Sequence, residues 1–138
     1  MRLPWTAAAT ILALSTLAAG AQDVSGFRSP SGNIHCQFYG GDDATIRCDL
    51  AQTSNRPPPR PRDCDLEWGQ AFEIGARAAH GTRLCYGDTV QDVRLPVLPY
   101  GQSFQRQGLA CISTQAGVGC RNAAGHGFEL SRAEQRIF

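Results

Sequence analysis

The sequence predicts a small, mostly β domain: a β-sandwich or barrel built from hairpins and stapled by disulfides. Three observations carry that expectation. Six cysteines follow a short apolar leader, and an even count in an exported chain is read as a set of bridges. Apolar and polar residues alternate with period two on both sides of Gly40-Gly41-Asp42-Asp43. The 15 glycines and 8 prolines interrupt the chain too often for long helices.

The leader comes first. Arg2 is the only charge before Asp23, Thr6 to Ala19 is a short apolar run, and Ala19-Gly20-Ala21 supplies small residues for a signal peptidase. Residues 1–21 are therefore expected to be a signal peptide cleaved before Gln22. Residues 22–138 are expected to form a single disulfide-rich β-domain, periplasmic or secreted. The run is well short of the roughly 20 residues that a membrane-spanning helix needs, so no membrane span is expected. Beyond Arg2 the arginines balance the 12 acids, and the chain has no lysine. A zero net charge argues against a nonspecific nucleic-acid binder.

Ile34, Cys36 and Phe38 alternate with His35 and Gln37, and Ile46, Cys48 and Leu50 with Arg47 and Asp49. A hairpin folded about Asp42 sets Phe38 against Ile46, Cys36 against Cys48 and Ile34 against Leu50. A slip of one residue would turn the apolar set to the wrong face. Cys36–Cys48 is then a cross-strand bridge, and His35 falls on the polar, solvent-facing side. Asn55-Arg56-Pro57-Pro58-Pro59-Arg60-Pro61-Arg62 must be extended. It contains a Pro-x-x-Pro match, but a rigid crossover between hairpins is the plainer reading.

Phe72-Glu73-Ile74 and Arg83 to Tyr86 read as a middle hairpin across Ala78-Ala79-His80-Gly81, and Arg94 to Leu98 as an edge or irregular strand limited by Pro96. Leu109 to Thr114 and Gly117 to Asn122 flank Gln115-Ala116 and set Cys111 opposite Cys120, although a longer loop using Gly117 remains open. Cys64–Cys85 follows by elimination. Phe128-Glu129-Leu130 is a last strand, and Ser131-Arg132-Ala133-Glu134 has capping-box spacing, which predicts a short C-terminal helical turn. The two disulfide hairpins look alike, but no internal repeat is evident.

Several strings are distinctive: Phe27-Arg28-Ser29-Pro30-Ser31-Gly32-Asn33-Ile34-His35-Cys36, Arg47-Cys48-Asp49, Cys85-Tyr86-Gly87-Asp88-Thr89, Leu98-Pro99-Tyr100-Gly101, and Gly125-His126-Gly127-Phe128 with Ser131-Arg132. Together they resemble an uncharacterised family of small exported bacterial proteins, a domain of unknown function. The resemblance covers nearly all of the chain after the leader, least well at Glu73 to Thr82. It implies a bacterial source, export and a cysteine-stabilised domain, and it assigns no catalytic residue.

No Cys-x-x-Cys and no closely spaced histidine pair occurs, so neither a zinc site nor a dithiol redox site is expected. There is no Gly-x-Ser-x-Gly elbow and no phosphate-cradling glycine loop, and no cofactor is expected. The favoured reading is a non-catalytic binding or interaction module of the bacterial envelope, its partner an envelope or extracellular protein. Tyr100, His126 and Arg132, on loops of a rigid scaffold, are the candidate binding residues. The alternative is a small secreted hydrolase using His126 with a carboxylate such as Asp88. Intact mass of exported protein should match a chain beginning at Gln22 with three disulfides. Six free thiols in material from the envelope would refute export to an oxidising compartment.

Overall fold

The period-two segments become strands, and each strand pairs with its neighbours in sequence. The computed structural model describes residues 25–138; the expected leader at 1–21 and its cleavage before Gln22 lie outside the described residues. The strands are β1 (Gly26–Arg28), β2 (Ile34–Tyr39), β3 (Thr45–Leu50), β4 (Glu67–Gly75), β5 (Thr82–Tyr86), β6 (Ser103–Arg106), β7 (Leu109–Ser113), β8 (Val118–Asn122), β9 (Gly127–Leu130) and β10 (Gln135–Ile137). They form two five-stranded antiparallel sheets, β1-β2-β3-β4-β5 and β10-β9-β8-β7-β6. The sheets pack face to face as a β-sandwich around one apolar cluster.

Both disulfide hairpins take the registers that the sequence predicts. Cys36 lies opposite Cys48 with Phe38 against Ile46 and Ile34 against Leu50, and Cys111 lies opposite Cys120. The Gln115-Ala116 loop is the two-residue one, closed by reciprocal backbone bonds between Thr114 and Gly117 of 2.9 and 3.2 Å. All three bridges form: Cys36–Cys48, Cys64–Cys85 and Cys111–Cys120.

The two sheets repeat one another. In the first, Phe27, Cys36, Cys48 and Phe72 stand side by side across β1 to β4; in the second, Phe104, Cys111, Cys120 and Phe128 do so across β6 to β9. The two rows lie against each other. Phe27 and Phe104 ring centroids are 5.2 Å apart, Phe72 and Phe128 are 6.1 Å apart, and the Cys48 and Cys120 Sγ atoms are 3.8 Å apart. Sequence inspection finds no repeat because the connections differ. β8 and β9 are joined by a short turn, whereas Ala51 to Leu66, including the proline-arginine stretch, separates β3 from β4.

That stretch is docked as a crossover. The Trp68 indole donates to the Pro58 carbonyl at 2.9 Å, and Pro57 packs over Gly69, where φ is +114° at a bulge in β4. Only glycine suits this spot, because a Cβ would be strained and would press on the Pro57 ring at 3.1 Å.

The expected C-terminal helical turn is absent. The Ser131 hydroxyl does accept from the Glu134 N–H at 3.0 Å, as a cap would, but the Ser131 N–H closes back on the Glu134 carbonyl at 2.8 Å. The result is a hairpin turn into β10, because Gln135 to Ile137 pair with Leu130 to Phe128 on the open edge of β9 in place of a helix. Arg94 to Leu98 forms no regular strand either. It contributes one parallel bridge between Val97 and Arg28, in line with an irregular position set by Pro96.

Gly127 lies in β9 beside the Cys120 carbonyl, and a Cβ there would sit 1.8 Å from that oxygen. Gly127→Ala should therefore cost more than about 4 kcal/mol in urea denaturation or prevent folding. Gly125→Ala, at φ +87° in open space, should cost only about 1–2 kcal/mol.

Candidate functional site

Two polar assemblies stand out, one on the outer face of the first sheet and one at an end of the sandwich. Because Cys36 and Cys48 point inward, their neighbours His35, Gln37, Arg47 and Asp49 point outward. The segment from Gly87 to Leu98 lies over them. Asp49 is 1% exposed, and its carboxylate accepts from Arg47 Nε at 2.9 Å, Arg47 Nη2 at 3.0 Å, Thr89 Oγ1 at 2.9 Å and the Val90 N–H at 3.0 Å. Arg47 also donates to the Asp88 carbonyl at 2.6 Å.

His35 is 4% exposed, not solvent-facing as its place on the polar side of the hairpin suggested. Its Nδ1 lies 3.1 Å from the Asp92 N–H and 3.2 Å from the Asp92 carbonyl, and its Nε2 lies 2.9 Å from the Gly32 carbonyl. The covering segment explains the burial: it brings backbone groups that pair with the imidazole and replace water. Asp49 is buried and its carboxylate holds four hydrogen bonds, three on Oδ2 and one on Oδ1, so it is committed to the fold and closed off from a substrate in solvent. This assembly is a clamp that holds a strap onto the sheet. The strap is further stiffened at Asp92, whose carboxyl is held down to about 2 by side-chain and backbone bonds from Arg94.

The second assembly is a groove of about 450 Å³ at one end, between the loops that join strands of both sheets. Its walls come from Ser29, Ser31 to Ile34, Ala51-Gln52, Tyr100, Thr114 to Gly117 and Arg132. The Ser-Pro-Ser-Gly-Asn loop builds the near wall by satisfying itself. Ser29 Oγ accepts from the Ile34 N–H at 3.1 Å, and Ser31 Oγ from the Asn33 N–H at 3.2 Å. The Asn33 amide pairs with Gln52 as a strand would, donating to its carbonyl at 3.0 Å and accepting from its N–H at 2.8 Å. Gly32 at φ +75° permits the turn.

Tyr100 and Arg132 therefore meet at the same groove, though 32 positions separate their numbers in the chain. His126 does not join them. It lies on the β8–β9 turn, where its N–H donates to Asn122 Oδ1 at 3.1 Å, and Asn122 reaches the Gly75 and Ala78 carbonyls of the β4–β5 turn. Successive turns of a meander lie at opposite ends, so His126 is at the far end from Thr114 to Gly117. Nor does it meet Asp88, which sits in the strap over Arg47 and lends that arginine only its carbonyl. Sequence reasoning did not identify Asn33, Gln52 and the Thr114–Gly117 turn as groove walls; the Ser-Pro-Ser-Gly-Asn string was their one local signal.

A second hollow of about 380 Å³ lies on the outer face of the second sheet, but Arg136, its one cation among the described residues, is paired with Glu129 at 2.7 Å. The sulfurs of Cys36, Cys48 and Cys120 lie within 4.8 Å of one another, but each is bonded in a disulfide. They offer no thiolate to a metal. Among the described residues no helix is long and apolar enough to cross a membrane.

The chain belongs to a family of unknown function (DUF6636), which matches residues 7–138. No curated protein and no solved structure matches it.

Two outcomes test the clamp. Asp49→Ala leaves Arg47 without its partner and should cost about 3–5 kcal/mol in chemical denaturation, with faster hydrogen exchange at Val90 and faster proteolysis at Arg94. The Asp92 carboxyl should titrate near 2 by NMR and rise toward its ordinary 3.8 in Arg94→Ala. A carboxyl lowered by folding stabilises the native state above its ordinary value and ceases to as pH falls through the lowered one. The contribution of Asp92 should thus be lost between pH 3.8 and about 2.

Proposed function

We propose that the protein is a non-catalytic binding domain, exported by a bacterium to its envelope or surroundings, with the end groove as its ligand seat. The meeting of Tyr100 and Arg132 in that groove is the observation that carries this reading. Neither side chain is used by the fold. Tyr100 is 50% exposed, and the Arg132 guanidinium has no hydrogen bond or ion pair among the described residues.

The frame beneath them favours binding. The Gln115-Ala116 loop closes a hairpin crossed by Cys111–Cys120, and the Ser29–Asn33 loop runs straight into β2, crossed by Cys36–Cys48. A seat already ordered loses little conformational entropy on association. Export agrees with three disulfides and no free cysteine among the described residues. The hydrolase reading gains nothing from the geometry, since His126 and Asp88 lie apart and the buried carboxylate, Asp49, is occupied.

NMR titration of the oxidised domain with fractionated envelope glycans and proteins tests the proposal. Amide shifts should gather at Gly32, Asn33, Gly101, Gln115 to Gly117 and Arg132. Tyr100→Ala and Arg132→Ala should each weaken binding about tenfold or more, whereas His126→Ala leaves it unchanged. Shifts confined to other surfaces would refute the seat. Substrate turnover by pure protein, lost in His126→Ala, would refute the non-catalytic reading.

A further inference from the structure

We propose that the groove takes an acidic sugar, a pyranose unit bearing a carboxylate, with Arg132 on the carboxylate and the Tyr100 ring against the sugar face. This rests on the groove being the ligand seat and adds the chemical class of its occupant.

The fold leaves few polar side chains unpaired around the groove. Ser29, Ser31 and Asn33 are spent on the loop itself, and Thr114 on its own turn. The groups around the groove with no hydrogen bond among the described residues are the side chains of Gln52, Tyr100, Gln115 and Arg132. Among the described residues no carboxylate lines the groove, and Arg132 is its one charged residue. The seat thus offers a planar cationic fork, two amides and a phenol. A fork of that shape pairs with a carboxylate through two parallel hydrogen bonds.

The backbone beneath the fork is fixed. The Arg132 carbonyl accepts from the Ser54 N–H at 2.8 Å, and the Gly101 N–H, next to Tyr100, donates to the Ser113 carbonyl at 2.7 Å. Two anchored loops therefore place a cation and an exposed aromatic side chain on the same groove.

The remaining features favour a sugar over an acidic peptide. The apolar lining is slight: Ile34 is buried in the core, leaving Ala51 and Ala116. A peptide side chain would find no apolar pocket to fill, whereas hydroxyls would find two amides that both donate and accept. An aromatic ring half in solvent, with a polar tip, suits the flat and partly apolar face of a pyranose. The volume lies within the range of small-ligand sites. Beyond Ser54 the chain carries Arg56, Arg60 and Arg62, exposed and without ion pairs among the described residues. Through the Ser54 bond to the Arg132 carbonyl, this arginine-bearing segment leaves from the Arg132 side of the groove and runs to the acids at Asp63 and Asp65, which suits a ligand with more than one carboxylate.

Calorimetry and NMR titration of the oxidised domain test this with four probes: a galacturonate oligomer, the same oligomer with its carboxyls reduced to alcohols, an oligoglutamate peptide and inorganic phosphate. The uronate oligomer should bind with shifts at Asn33, Gly101, Gln115 and Arg132, and the reduced oligomer at least about tenfold more weakly. Arg132→Gln should abolish the difference between the two sugars, and Arg132→Lys should restore only part of it because the fork is lost. Tyr100→Phe should bind nearly as the parent does and Tyr100→Leu more weakly; His126→Ala should leave affinity unchanged. Equal affinity for the two sugars overturns the carboxylate assignment. Tighter binding of oligoglutamate or phosphate at the same amides overturns the sugar class while leaving the seat intact. Shifts elsewhere, or none with any envelope fraction or probe, overturn the seat as well.

Discussion

The contact between the two hairpin disulfides is the constraint from which the rest of the structure follows. Cys48 and Cys120 meet at 3.8 Å at the centre of the sandwich, with Phe27 on Phe104 to one side and Phe72 on Phe128 to the other. Each bridge ties directly opposed residues, so neither hairpin can slip by one position without turning its cystine out of the core. These bridges span only 12 and 9 positions. Short loops limit what they gain by restricting the unfolded chain. Their larger effect is on register, which sets the face taken by every other side chain in β2, β3, β7 and β8.

From that register the two polar assemblies follow. With the cystines inward, His35, Gln37, Arg47 and Asp49 must line the outer face of the first sheet. A carboxylate and an imidazole so close to a covering strap are tolerable only when hydrogen-bonded, and both are. The duplicated frame also shows where the halves diverge. Counting from the paired cysteines, Ile34 corresponds to Leu109 and Ile46 to Val118, all buried and apolar. Leu50, however, corresponds to Asn122, whose amide ties the β4–β5 turn through Gly75 and Ala78. Phe38 corresponds to Ser113, whose hydroxyl is buried without a partner among the described residues. Polar atoms enter the second half where its turns are built, and the first half keeps its apolar residues there.

Much of this was legible in the sequence wherever the signal is local. Period-two alternation about a turn fixed both cystine registers, and Cys64–Cys85 then followed by elimination. β1, β6 and β10 were not legible. Each is three or four residues long and is a strand only because a neighbour offers an edge to pair with. Ser131 to Glu134 carried a helix signal that was physically real, since the serine does bond the Glu134 N–H, but the same bond serves a hairpin turn equally well. His35 was misplaced because its cover arrives from Asp92, 57 positions away. No local pattern encodes such a contact. Tyr100 and Arg132 were chosen as loop residues and meet in one groove. His126 was chosen on the same ground and lies elsewhere, because the order of turns along a meander decides which end each one occupies.

The candidate site is defined by subtraction. A loop rich in serine and asparagine invites a binding role, yet nearly every polar atom of Ser29 to Asn33 is consumed in holding the loop's own shape and its tie to Gln52. The Asp49 cluster invites catalysis, yet its carboxylate is buried and held by four hydrogen bonds. A polar side chain already paired offers a ligand fewer bonds and is held in place by those it has, so such groups contribute more rigidity than affinity. An unpaired side chain on an anchored backbone has no such cost. At the end of this sandwich Arg132 and Tyr100 meet that condition, with Gln52 and Gln115 beside them. The groups that build the seat and the groups free to use it are therefore different residues, and a mutation in either set has its own signature: loss of stability for Asn33 or Ser29, loss of affinity at unchanged stability for Tyr100 or Arg132.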